Sequence, residues 1–143
     1  MKRSRINSRS QHNRDRAAEA KPVRDAFKDE IGQCMICGAS PRRPMHAIAD
    51  MNELCCHEIL NGPLRQKTLD EPCSLLVLCA YCNQNEVEDK GSWPAARQLA
   101  VLMTKAPQHY DLVRFNWLRN PNAPRFVEQH EVDRQIEKGF QDD

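Results

Sequence analysis

Two pairs of cysteines, Cys34-Met35-Ile36-Cys37 and Cys79-Ala80-Tyr81-Cys82, constrain this chain more than any other feature. A two-residue gap lets both sulfurs of a pair turn toward one point. Two such pairs complete a tetrahedral four-thiolate site, with Zn–S bonds of about 2.3 Å. Gly38 follows the first pair and Asn83 the second, where a metal knuckle would turn. Residues 38–78, 41 in all, separate the pairs. Closing so long a loop removes much chain entropy. The segment inside it, with Cys55-Cys56-His57-Glu58-Ile59, is expected to be the functional insert. A redox dithiol or a buried disulfide is the competing reading. Seven cysteines, an odd number, and a charged N-terminus without an apolar h-region favour metal in a reducing compartment. The expectation is one structural zinc on Cys34, Cys37, Cys79 and Cys82.

A chain of 143 residues has room for one domain plus tails. Aromatics make up only 6% of it, so the apolar core is small and a metal staple is one usual remedy. No apolar run approaches the length of a membrane span, so no membrane partner is expected. The net charge of +1 conceals an asymmetry: residues 1–28 hold nine basic and three acidic residues, +6, which leaves −5 for the rest. Residues 1–21 therefore read as a basic, disordered arm. Lys2, Arg3, Arg5, Arg9, Arg14 and Arg16 would meet phosphates there through counterion release, without reading sequence. The plainer reading is a solvated tail.

Residues 22–120 read as the zinc domain with flanking helices. Val23, Ala26, Phe27 and Ile31 predict a short helix over 22–31. Residues 54–59 predict one strand, which Asn61-Gly62-Pro63 ends, and residues 74–78 a second. Asn83 to Lys90 can turn into a helix. Ser92 is the expected cap of a helix with Pro94 in its first turn and Ala96, Leu99, Ala100 and Met103 on its core face. Leu112, Phe115 and Leu118 mark another helix. Residues 121–143 read as a last charged helix or tail. The fold class expected is α+β.

The order of CxxC, strand with a His, loop, strand, CxxC-Asn and helix resembles the HNH endonuclease superfamily, with its ββα-metal fold. The resemblance covers about residues 31–90. The stretch Trp93-Pro94-Ala95-Ala96-Arg97-Gln98-Leu99-Ala100 is similar to the segment after the motif in small phage-type members. The resemblance implies a metal-dependent DNA endonuclease, nicking with little sequence preference, in the cytoplasm of a prokaryotic or phage-infected cell. It implies His57 as general base, preceded by a metal ligand at Cys56, where Asp or His is usual. Ser74 stands where the family has an Asn that orients the base. Asn83 matches the ligand at the start of the helix, and the further His one turn on is missing near Val87 and Glu88. An HNH-like zinc module that binds nucleic acid without cutting it is the alternative.

The chemistry asks for these residue types. Phosphodiester hydrolysis needs an activated water, an electrophile on the phosphate and help for the leaving oxygen. A His with a pKa of about 6.5 can take the proton of the water. A divalent ion with open positions can serve the phosphate. Glu86 lies at i+3 from Asn83, and Glu58 alternates to the side of Cys56, so either could add a hard oxygen for Mg²⁺ or Mn²⁺. A thiolate at Cys56 would favour Zn²⁺ or Ni²⁺ instead. His46 also lies in the loop, though nothing in its spacing demands a ligand.

Overall fold

In chain order the elements are α1 (Lys2–Ile31), β1 (Leu54–Glu58), α2 (Arg65–Thr68), β2 (Leu75–Cys79), α3 (Ala80–Cys82), α4 (Ala95–Lys105), α5 (Leu112–Arg119) and α6 (Gln129–Glu137). The computed structural model describes residues 2–88 and 93–140, with side chains over 11–87 and 93–140. Helix and strand are mixed, as expected of an α+β chain. β1 and β2 form an antiparallel pair in which Leu54 faces Cys79, Cys56 faces Val77 and His57 faces Leu76. Each strand lies within one residue of its expected bounds. α3 follows β2 without a loop and continues as a π-helical turn over Asn83–Glu88.

Both faces of this small sheet are covered, which is why β2 reads as an unbroken apolar run and is buried at all five positions. Side chains alternate along β1. Cys56 and Glu58 therefore face α1, where Cys56 Sγ donates to Arg24 O and Glu58 pairs with Arg24. His57 points the other way, to Gln98 of α4.

The expected disordered arm is helical. α1 begins at Lys2, and the short helix expected over 22–31 is only its last third. Apolar periodicity does not reveal its first half because Ala20 and Phe27 are the only fully buried described side chains of the helix. Polar contacts hold it instead. Arg16 meets Asp70 Oδ1 at 2.6 Å and Gln66 O at 2.7 Å. Arg24 donates to Leu69 O at 3.1 Å and to Cys56 O at 2.8 Å. The hydrogen bond from Arg16 holds the Asp70 carboxyl below its ordinary range. A lowered carboxyl pKa adds stability above the unfolded value of about 3.9, and that stability is lost as pH falls through the folded value. Asp70→Asn should therefore lower stability at pH 7 by about 0.5–1 kcal/mol, the screened range for a partly exposed pair. The difference from wild type in urea melts should shrink as pH falls through the lowered folded pKa of Asp70.

The C-terminal helices extend the same core. Phe115, Leu118, Val127 and Val132 are buried, and α6 packs on α4. Residues up to 140 are thus part of the body rather than a separate tail. Asn116 ties α5 to the following loop, donating to Val127 O at 2.9 Å and accepting from Val127 N at 3.0 Å. Glu128 and Glu131 form a capping box at the start of α6. Pro94 precedes α4 rather than lying in its first turn, and the cap expected at Ser92 lies outside the described residues. Among the described residues no helix is long and apolar enough to cross a membrane.

Candidate functional site

The four paired cysteines meet. Their sulfurs all lie within 4.8 Å of one another, and Cys37 Sγ is 3.6 Å from Cys79 Sγ. A tetrahedron with Zn–S bonds of about 2.3 Å has edges of about 3.8 Å, so the spacing suits such an ion. The first pair sits on a tight turn. Gly38 N donates to Cys34 O at 2.9 Å, and Gly38 has φ +81, a left-handed value that glycine adopts without strain. This turn is docked on the edge of β2, because Met35 N donates to Val77 O at 2.9 Å and Val77 N to Met35 Sδ at 3.2 Å. Two residues further along β2 comes Cys79. Its sulfur accepts from Cys82 N at 3.4 Å, so the second pair curls into α3. The strand edge thus brings together two pairs that are far apart in sequence.

The electrostatics of the cluster are compatible with a cation. The hydrogen bond from Cys82 pulls Cys34 down to about 4, so one thiolate persists at neutral pH. Its bond to that thiolate, more than burial, drives Cys82 upward, and burial chiefly pushes Cys79 up to about 11. Four thiolates cannot coexist here without positive charge at their centre. The cluster can hold a metal ion and is compatible with structural zinc. Among the described residues no other group of three or more His, Cys, Asp or Glu gathers its ligand atoms in this way.

His57 is 6% exposed, on the face of β1 that looks toward α4. Its Nε2 is 3.0 Å from Gln98 Oε1. The amide of Gln98 is oriented by its other end, since Nε2 donates to Trp93 O at 2.8 Å. Gln98 therefore presents an acceptor to the ring, His57 carries its proton on Nε2, and Nδ1 is the basic nitrogen. Ser74 stands in the sequence where the resembled family has its orienting Asn. The buried Ser74 hydroxyl is instead 3.0 Å from Glu71 O, stabilising the turn before β2. Gln98 is buried beside Leu99 on α4, and no spacing in the sequence marks it for this role.

A cavity of about 320 Å³ is lined by Cys55, Cys56, His57, Glu58, Asn61, Gly62, Arg24, Arg65 and Asn83. Four consecutive strand residues can line one cavity only at the unpaired edge of β1, because their side chains alternate. His57 and Asn83 thus share one opening. The Oδ1 atom of Asn83 is itself buried and accepts no hydrogen bond. A buried oxygen without a donor costs free energy unless a cation or water meets it.

The other expected ligands behave differently. Burial pushes the Cys56 thiol up, and its sulfur contacts Arg24 O at 3.5 Å, so it is a neutral side chain packed on α1. Glu58 is engaged by Arg24 at 3.1 Å and Arg65 at 3.4 Å. Glu86 is exposed and takes no part in lining the cavity. The π-helical turn rotates it away from the place that i+3 spacing in a regular α-helix would give.

A larger groove of about 790 Å³ runs between α1 and the β1–α2 segment and shares Arg24, Cys55, Cys56, Glu58 and Arg65 with the cavity. Its charged lining is Arg14, Lys21, Arg24, Lys28 and Arg65 against Asp25 and Glu58. Of the arm residues singled out from sequence, Arg14 lines this groove and Arg16 is committed to Asp70. The side chains of Lys2, Arg3, Arg5 and Arg9 lie outside the described part. Comparison of the chain with protein-family models, curated proteins and solved structures finds no match.

Proposed function

We propose that this protein is a metal-dependent DNA endonuclease of HNH type, stapled by a structural zinc on Cys34, Cys37, Cys79 and Cys82. The observation that carries the reading is the one cavity lined by both His57 and Asn83, a residue whose Oδ1 is buried without a hydrogen-bond partner. The β1–β2–helix order supports it. The basic groove leading to that cavity supports DNA as the substrate.

In this reading Gln98 holds the proton on Nε2 of His57, and Nδ1 takes a proton from the attacking water. Asn83 Oδ1 would hold the catalytic ion. Such an ion supplies charge neutralisation to the phosphate and the leaving oxygen. One protein oxygen plus waters suits Mg²⁺ or Mn²⁺, which commonly keep several waters. The neutral Cys56 argues against Ni²⁺ or a second Zn²⁺. Arg65, exposed over more than half its side chain, is placed to meet a phosphate, while Arg24 is held by backbone carbonyls and Glu58.

The binding-module reading is favoured by the single close ligand cluster among the described residues. Supercoiled plasmid separates the two. Wild-type protein should produce nicked circles with Mg²⁺ or Mn²⁺, less with Ni²⁺ or Zn²⁺, and none with chelator. Retention of plasmid without nicking in every ion would leave only the binding module.

A further inference from the structure

We propose that His46 is an N–H···S donor that shields the metal centre, sealing one edge of the four-thiolate cluster rather than ligating the ion. The proposal rests on the zinc reading of that cluster. His46 Nε2 lies 3.4 Å from Cys79 Sγ and 3.6 Å from Cys37 Sγ, so it bridges one sulfur from each pair. These are distances of a hydrogen bond to sulfur. An imidazole nitrogen bound to the same ion would lie about 3.5 Å from every other ligand atom. His46 approaches only these two sulfurs and stands outside the group whose ligand atoms all lie within 4.8 Å of one another, and the four thiolates of that group already complete a tetrahedron.

The position of His46 is built by its surroundings. Its loop has no regular structure apart from the 3-10 turn Ala49–Asn52. One side chain organises that loop: Asn52, 1% exposed. Asn52 Oδ1 accepts from Met45 N at 2.9 Å and from His46 N at 3.0 Å. Asn52 Nδ2 donates to His46 O at 2.9 Å and to Ile48 O at 3.3 Å. A single buried amide thus holds the backbone of His46 on both sides. The ring is fixed in turn by stacking on Tyr81, centroids 4.4 Å apart and planes 22° from parallel. Tyr81 lies between Cys79 and Cys82, so ring and sulfurs are positioned by the same turn.

The chemical consequence comes from charge. Four thiolates around a divalent ion carry a net charge of −2, and electron-rich sulfurs attack electrophiles. An N–H aimed at two of them withdraws electron density and covers them from solvent. Donors in this outer position typically change metal affinity or reactivity by about 10–100-fold.

The test uses full-length protein loaded with Zn²⁺ or Co²⁺, comparing wild type with His46→Phe and His46→Gln. Phenylalanine keeps the stacking and removes the donor; glutamine can restore a donor. With N-ethylmaleimide as the electrophile and a chromogenic chelator as the reporter, zinc release should be about 10-fold faster in His46→Phe. Release from His46→Gln should be intermediate. Cobalt charge-transfer absorption should keep its four-thiolate intensity in all three proteins while its position shifts in His46→Phe. Equal release rates in metal-bearing proteins would overturn the donor role and leave the zinc reading intact. A changed thiolate count on substitution would overturn it in favour of His46 as a ligand. Wild type that binds neither ion would overturn the zinc reading and the donor role together.

Discussion

Cys82→Ser should yield a chain that retains no zinc and loses cooperative structure over residues 31–88. Cys82 is 2% exposed and is the partner that sustains the Cys34 thiolate. Serine leaves three sulfurs and a buried hydroxyl that binds zinc poorly. Structural zinc contributes about 10–16 kcal/mol of apparent binding energy in small fingers at neutral pH. Whole-domain stability is typically only about 5–15 kcal/mol, so loss of the ion removes most or all of it. The damage should reach β2 directly, because the first cysteine turn is hydrogen-bonded to Val77. Elemental analysis and hydrogen exchange check this. One zinc per wild-type chain, and none with fast exchange at Val77 in the variant, is the expected pair of results. Because Cys79 and Cys82 are pushed upward, metal uptake must expel their protons, and apparent zinc affinity should rise with pH.

His57→Ala should lower nicking by about 10²–10⁴-fold, the usual contribution of a positioned general base. Zinc content and DNA retention should stay at wild-type levels, since His57 belongs neither to the cysteine cluster nor to the groove lining. Asn83→Ala should weaken the response to the divalent ion, and added ion should restore part of the rate. Gln98 supplies a control that a merely structural role would not reproduce. Gln98→Glu places a carboxylate against His57 Nε2, which favours the charged ring. The ring then stays protonated to higher pH, so the acid limb of the pH–rate profile should move upward. Gln98→Leu removes the acceptor and should lower the rate without that displacement.

The four-cysteine cluster was legible because CxxC spacing fixes local geometry and each pair carries its own turn. β1 and β2 were legible within one residue because alternation and apolar runs report burial directly. α1 was legible only over 22–31, where Val23, Ala26, Phe27 and Ile31 repeat at helical spacing. Its first half is tied down by Arg16 and Arg24 to Asp70, Gln66, Leu69 and Cys56. Polar contacts over such separations leave no periodic trace. The candidate residues meet at one cavity on the open edge of β1, yet their side chains are committed to opposite faces: Cys56 and Glu58 to α1, His57 to Gln98. A π turn then takes Glu86 out of the expected position. Gln98 and Asn52 were missed because a buried amide has no spacing rule; its meaning lies in the partners at its two ends.

The most direct test is the nicking rate of supercoiled plasmid in Mn²⁺ by wild type and His57→Ala, with the two proteins matched for zinc content and DNA retention. The predicted result is nicked circle from wild type and a rate lower by about 10² or more from the variant. Equal rates from the two proteins, or wild type that retains DNA and nicks none of it, would contradict the account.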